Sequence, residues 1–232
     1  MSALEIVLVA VASFLLFIIL LYVTVAVYVK KAAVNKAEDF HIMDEFRLNH
    51  DVVFLGDSLT DFYPIEEFTD VKIVNRGIAG DTTSDVMHRV REVVELKPKK
   101  LFLQIGINDM IRKSARTLTA QALAERIFAV VSKFDKTETE INVISLYPVN
   151  RRKILFSTVF TGKATNKRIK EVNKILKEKC DSEQLNFINL YDCLSDEKGN
   201  LKKEFTVEGL HITVKGYAAI SKVLMPFVTE NK

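Results

Sequence analysis

Cysteine and glycine are scarce in this chain, and blocks of like charge are missing. The two cysteines, Cys180 and Cys193, stand neither in C-x-x-C spacing nor beside histidines. That argues against a zinc site and a disulfide framework, and two ordinary thiols suit a reducing compartment. The 33 basic and 30 acidic residues are spread along the sequence for a net charge of +3, without the basic cluster that nucleic-acid binding leaves. P-loop and dinucleotide signatures are lacking, so a nucleotide cofactor has no basis. Repeats and low-complexity tracts are lacking too.

Charge is missing altogether from residues 6–29, which are rich in Val, Leu, Ile and Phe. As a helix this stretch spans roughly 36 Å, enough for a hydrocarbon core of about 30 Å with some tilt. It lacks the basic n-region of a signal peptide. Glu5 lies on its amino side and Lys30, Lys31 and Lys36 on its carboxyl side, so the positive-inside rule orients the following domain toward the cytoplasm. The expected organisation is a single-pass anchor with its basic flank at 1–31, a helical neck at 32–49 and one globular domain at 50–232. That domain is long enough to bury a full core.

Within it, short apolar runs at 52–55, 71–74, 101–105, 141–146 and 187–190 read as buried parallel strands. Helical patterns occupy 84–96, 120–134, 166–179 and 214–228, with polar connectors at 181–184 and 192–201. Strand and helix in alternation predict an α/β fold: a flavodoxin-like, three-layer sandwich around a parallel five-stranded sheet, strand order 2-1-3-4-5.

Of the eight glycines, Gly56, Gly77, Gly80 and Gly106 directly follow the first three strands. In the expected order those loops meet at one edge of the sheet, where open α/β folds bind ligands. They carry Gly56-Asp57-Ser58-Leu59-Thr60, Gly77-Ile78-Ala79-Gly80-Asp81 and Gly106-Ile107-Asn108-Asp109. Singly, Ser58 reads as a helix cap and Asn108 as a turn former. Together they offer a hydroxyl, backbone N–H groups and a side-chain amide, the parts needed to attack a carbonyl and hold its oxyanion. A hydroxyl needs a base. Among four histidines, His211 stands just before the last helix with Glu208 three residues upstream.

These residues form four ordered blocks: GDSLT at 56–60, NRGIAGDTT at 75–83, GIND at 106–109 and EGLH at 208–211. The chain thereby resembles the SGNH (GDSL) hydrolases, in particular the branch related to platelet-activating-factor acetylhydrolase. The resemblance implies ester hydrolysis without a metal or other cofactor. It assigns Ser58 as nucleophile and His211 as base, with an oxyanion hole from the N–H groups of Ser58 and Gly80 and the amide of Asn108. The family usually has Asp three residues before this histidine; here Glu208 would take the orienting role. The implied substrate is a small-molecule or lipid ester, such as a lysophospholipid or short acyl ester. Thioester cleavage and carbohydrate O-deacetylation fit the same site, and a non-catalytic flavodoxin-like binding module is the alternative from another class. The serine elbow G-x-S-x-G is absent. A metal-dependent phosphatase using Asp57 and Asp109 would have only two carboxylates at that edge. Phe62, Tyr63, Phe156 and Phe160 are candidates for an acyl pocket.

Overall fold

A computed structural model describes residues 2–46, 50–112, 117–151 and 157–230, with the side chains of 26, 29 and 30 excepted. The chain divides into two compact units, Met1–Met43 and Asp44–Lys232. Helix α1 runs unbroken over Ala3–Phe46, so the apolar segment and the neck residues described belong to one element. Its portion Ala3–Val25 is long and apolar enough to cross a membrane.

The second unit is built on a parallel sheet of β1 (Val52–Gly56), β2 (Ile73–Gly77), β3 (Lys100–Gln104), β4 (Glu140–Ile144) and β5 (Asn186–Ile188), in the order β2-β1-β3-β4-β5. The chain steps one way from β1 to β2 and the other way from β2 onward. Right-handed crossovers then put helices on both faces. Helices α3 (Thr83–Glu95), α5 (Ala120–Val131) and α7 (Asn166–Glu183) pack side by side; α8 (Tyr191–Leu194) packs on α9 (Val214–Thr229). β1 and β3 are buried along their whole length, as expected of strands covered on both faces. Their registered pair Phe54 and Phe102 stacks with ring centroids 4.5 Å apart.

Three expectations shift. The apolar run at 71–74 precedes the ladder in part, because β2 continues through Asn75 and Arg76 to Gly77, pairing with β1 to Gly56. The segment 181–184 is mostly helix: α7 extends through Glu183 and ends on Gln184 in the left-handed conformation. Short helices α2 (Ser58–Asp61), α4 (Ile107–Ile111) and α6 (Ser157–Thr161) stand where the sequence reads as loop; four or five residues carry too little periodicity to register.

Helix starts follow side-chain caps. Thr82 and Asp85 form a reciprocal capping box on α3, and Thr119, Thr165 and Thr213 cap α5, α7 and α9. At the other end of α9, Lys100 Nζ donates to the carbonyl of Phe227 at 2.9 Å, tying the last helix to β3.

Candidate active site

Asp57 ends the turn after β1 and caps α2, accepting the Leu59 N–H at 3.0 Å. Ser58 thereby becomes the first residue of the helix, its N–H among those a helix leaves without an internal partner. The loop after β2 is laced to this turn. Asn75 donates to the Thr60 carbonyl at 2.8 Å and accepts the Gly77 N–H at 2.9 Å; Asp61 accepts the Ala79 N–H at 3.0 Å. The approach is so close that a Cβ on Gly77 would stand 2.2 Å from the Asp61 nitrogen. From α3, Arg89 donates to Asp81 at 2.8 Å and to the Gly56 carbonyl at 3.1 Å. The third loop joins through Asn108, whose Nδ2 donates to the Asp81 carbonyl at 2.9 Å. Asp109 accepts both the N–H and the hydroxyl of Thr83, at 2.9 and 2.6 Å. Ser58, Gly80 and Asn108 therefore sit on one cross-linked platform.

His211 arrives from the far end of the chain. An isolated antiparallel bridge between Thr206 and Ile212 closes the loop that holds it. Gly209, at φ +96°, presses against the Asn150 carbonyl and Ser157, where a side chain would collide, and its own carbonyl accepts the Asn150 N–H at 2.8 Å. Glu208 Oε1 accepts the backbone N–H of His211 at 2.8 Å and pairs with its Nδ1. With the ring proton on Nδ1, Nε2 is an acceptor, and it lies 3.1 Å from Ser58 Oγ.

Two tyrosines hold the halves together. The Tyr217 hydroxyl on α9 donates to the Leu59 carbonyl on α2 at 3.0 Å, and the hydroxyls of Tyr63 and Ser221 are 2.6 Å apart. The rings of Tyr63 and Tyr217 stack at 4.7 Å. Tyr63 is accordingly core and not pocket, its buried hydroxyl pushed up to about 12 in pKa by desolvation. Phe62 and Phe160 are exposed beside His211, with ring centroids 5.5 and 6.3 Å from the imidazole. Phe156 lies outside the described residues.

Ser58 is 5% exposed and the His211 side chain 32%, so the hydroxyl is sheltered and the imidazole reaches solvent. Asp57 is the residue that sequence reasoning passed over as a titrating group. Burial pushes its pKa up to about 8, against a lowering bond from Leu59, and Oδ2 is buried with no hydrogen-bond partner. Its place beside the serine was visible in the sequence, but its total enclosure was not.

Residues 54–219 match the family model of the GDSL-like lipase/acylhydrolases. The chain belongs to this GDSL family. As a GDSL enzyme it is a hydrolase acting on ester bonds, and each of the three loops and the His211 loop falls inside the matched range. It is 28% identical over 189 residues to platelet-activating factor acetylhydrolase IB subunit alpha2 of Rattus norvegicus, covering 78% of this chain and 76% of that protein. It is also 25% identical over 187 residues to N-acylneuraminate cytidylyltransferase of Escherichia coli O18:K1:H7. That match takes in 80% of this GDSL chain but only 42% of the longer relative. Among solved structures, a Streptococcus pneumonia protein designated a platelet activating factor superposes with a TM-score of 0.78 at 27% identity, covering 94% of this chain and 99% of that one.

Proposed function

We propose that this GDSL hydrolase is a membrane-anchored serine esterase that works through an acyl-serine intermediate. The observation that carries the reading is the 3.1 Å contact between Ser58 Oγ and His211 Nε2, within the reach a general base needs. In the first half-reaction His211 takes the Ser58 proton as Oγ bonds to the acyl carbon. The resulting oxyanion is held by the N–H groups of Ser58 and Gly80 and by the Asn108 amide. Glu208 balances the imidazolium through Nδ1. Collapse breaks the bond to the alcohol, which leaves with the proton from Nε2. Water then repeats the steps, adding to the acyl-serine, passing its proton to His211 and freeing the acid and Ser58.

Anchoring is assigned to Ala3–Val25, with the domain on the cytoplasmic side because of the lysines that follow. Lipid esters and lysophospholipids suit an anchored enzyme; the likeness to the rat protein, named as an acetylhydrolase, supports short acyl groups.

The test is covalent labelling. A fluorophosphonate probe is expected to modify the wild type at Ser58 and to leave Ser58→Ala unlabelled, with esterase turnover lost in parallel. Wild-type turnover in Ser58→Ala would refute the nucleophile. Protease added to sealed, right-side-out cells is expected to spare the domain, and its digestion would reverse the sidedness.

A further inference from the structure

Apolar side chains left in solvent are not scattered over the second unit. Its large exposed hydrophobics, among the described residues, are Phe46, Phe62, Val159, Phe160, Val207 and Val214. All but Phe46 belong to three segments that meet at His211. Phe62 follows α2, and its ring is 5.5 Å from the imidazole. Val159 and Phe160 lie on α6, brought there by the contact of Gly209 with Ser157, and the Phe160 ring is 6.3 Å from the imidazole. Val207 and Val214 flank the histidine loop on either side. By contrast, among the described residues the loops that carry Gly80 and Asn108 expose no large apolar side chain. Scattered exposed hydrophobics need no explanation, but a one-sided cluster at a reactive group does.

The chemistry of the reaction says what approaches that side. The imidazolium must give its proton to the departing alcohol oxygen, so the alcohol portion of the ester lies against His211 while the carbonyl oxygen turns toward the Gly80 and Asn108 loops. We infer that the rim formed by Phe62 and Phe160 binds the hydrocarbon part of the leaving alcohol, so that the substrate class is esters of alcohols bearing an apolar chain. This rests on the roles proposed for Ser58 and His211, and it makes the two rings specificity-determining residues.

The test uses the full chain in lipid nanodiscs and two series of soluble esters held below their aggregation concentrations. One series keeps the acetyl group and lengthens the primary alcohol from ethyl to hexyl; the other keeps the ethyl group and lengthens the acyl chain. Primary alkanols of this range are near-equal leaving groups, so a slope reports contact and not intrinsic reactivity. A methylene fully removed from water is worth about fourfold, and one lying on a half-exposed rim about twofold. The expectation is a rise of about twofold in kcat/KM per methylene of the alcohol, a smaller slope in the acyl series, and a flattened alcohol slope in Phe62→Ala/Phe160→Ala. Phe62→Leu/Phe160→Leu should retain most of the slope. Flat alcohol dependence in an enzyme that still labels at Ser58 would overturn the inference and leave the esterase reading standing. So would a slope confined to the acyl series. A slope seen only above the aggregation concentration would assign the rim to a lipid surface, and one that varies with enzyme concentration to a second copy of the chain; either result also overturns it. Absence of both labelling and hydrolysis would remove the esterase reading itself.

Discussion

Asp57 offers a test of the site's electrostatics that does not depend on turnover. Its carboxyl is fully buried, Oδ1 accepts the Leu59 N–H, and Oδ2 has no partner. The cost of desolvating a charge there lifts the pKa from 3.8 to about 8. A folded-state value above the unfolded one means that the native protein holds a proton which the unfolded chain releases. The resulting stabilisation is complete below about pH 4 and is lost as pH rises toward 8, at about 1.36 kcal/mol per unit. Asp57→Asn keeps the oxygen that caps α2 but has no proton to lose. Between pH 5 and pH 7 the stability of the variant relative to wild type should therefore rise by roughly 2–3 kcal/mol. Denaturant unfolding of the two full chains in the same detergent, followed by near-ultraviolet circular dichroism at pH 5, 6 and 7, measures that difference while other titrating groups cancel. A difference that stays constant over this range would refute the argument and mean that the carboxyl ionises in the native state as it does in the unfolded chain.

Glu208→Gln should lower kcat by only about tenfold, the gap between a charged and a neutral hydrogen-bond acceptor. The backbone N–H of His211 pins the same oxygen in its accepting role, so steady-state kinetics showing a loss nearer 10⁴ would indicate a flipped tautomer instead. Asn108→Ala should cost roughly 100- to 1,000-fold in kcat with little change in KM; an unchanged kcat would remove the amide from the oxyanion hole. Gly77→Ala would drive a Cβ into the Asp61 backbone, and should destabilise by about 3 kcal/mol, a fall of roughly 6–12 °C in Tm. A Tm within a degree of wild type would mean that α2 can shift at no cost.

The sheet was readable because buried parallel strands leave uninterrupted apolar runs, as at Val52–Gly56 and Lys100–Gln104. Gly56 and Gly77, which end β1 and β2, and Gly80 and Gly106, which follow β2 and β3, located the loops that meet. What could not be read was anything set by enclosure. Tyr63 and Phe62 are adjacent aromatics in sequence, yet one is stacked in the core and the other stands in solvent beside the imidazole. Nor does periodicity distinguish Gln184 as a helix end when the terminus depends on a left-handed backbone. The pairing of Glu208 with both the ring and the main chain of His211 likewise depends on loop closure. Spacing alone could only suggest that the two residues were neighbours.

The bond between Ser58 and His211 joins residues 153 positions apart, and the Tyr217–Leu59 and Tyr63–Ser221 links bolt the same two stretches together at a separation of 158. With the roles proposed for Ser58 and His211, turnover requires that long-range closure. With those roles, a chain still emerging from the ribosome would be chemically silent until His211 reaches Ser58. Tyr217→Phe offers a handle on that moment, because it loosens the clasp without touching any group that meets the ester.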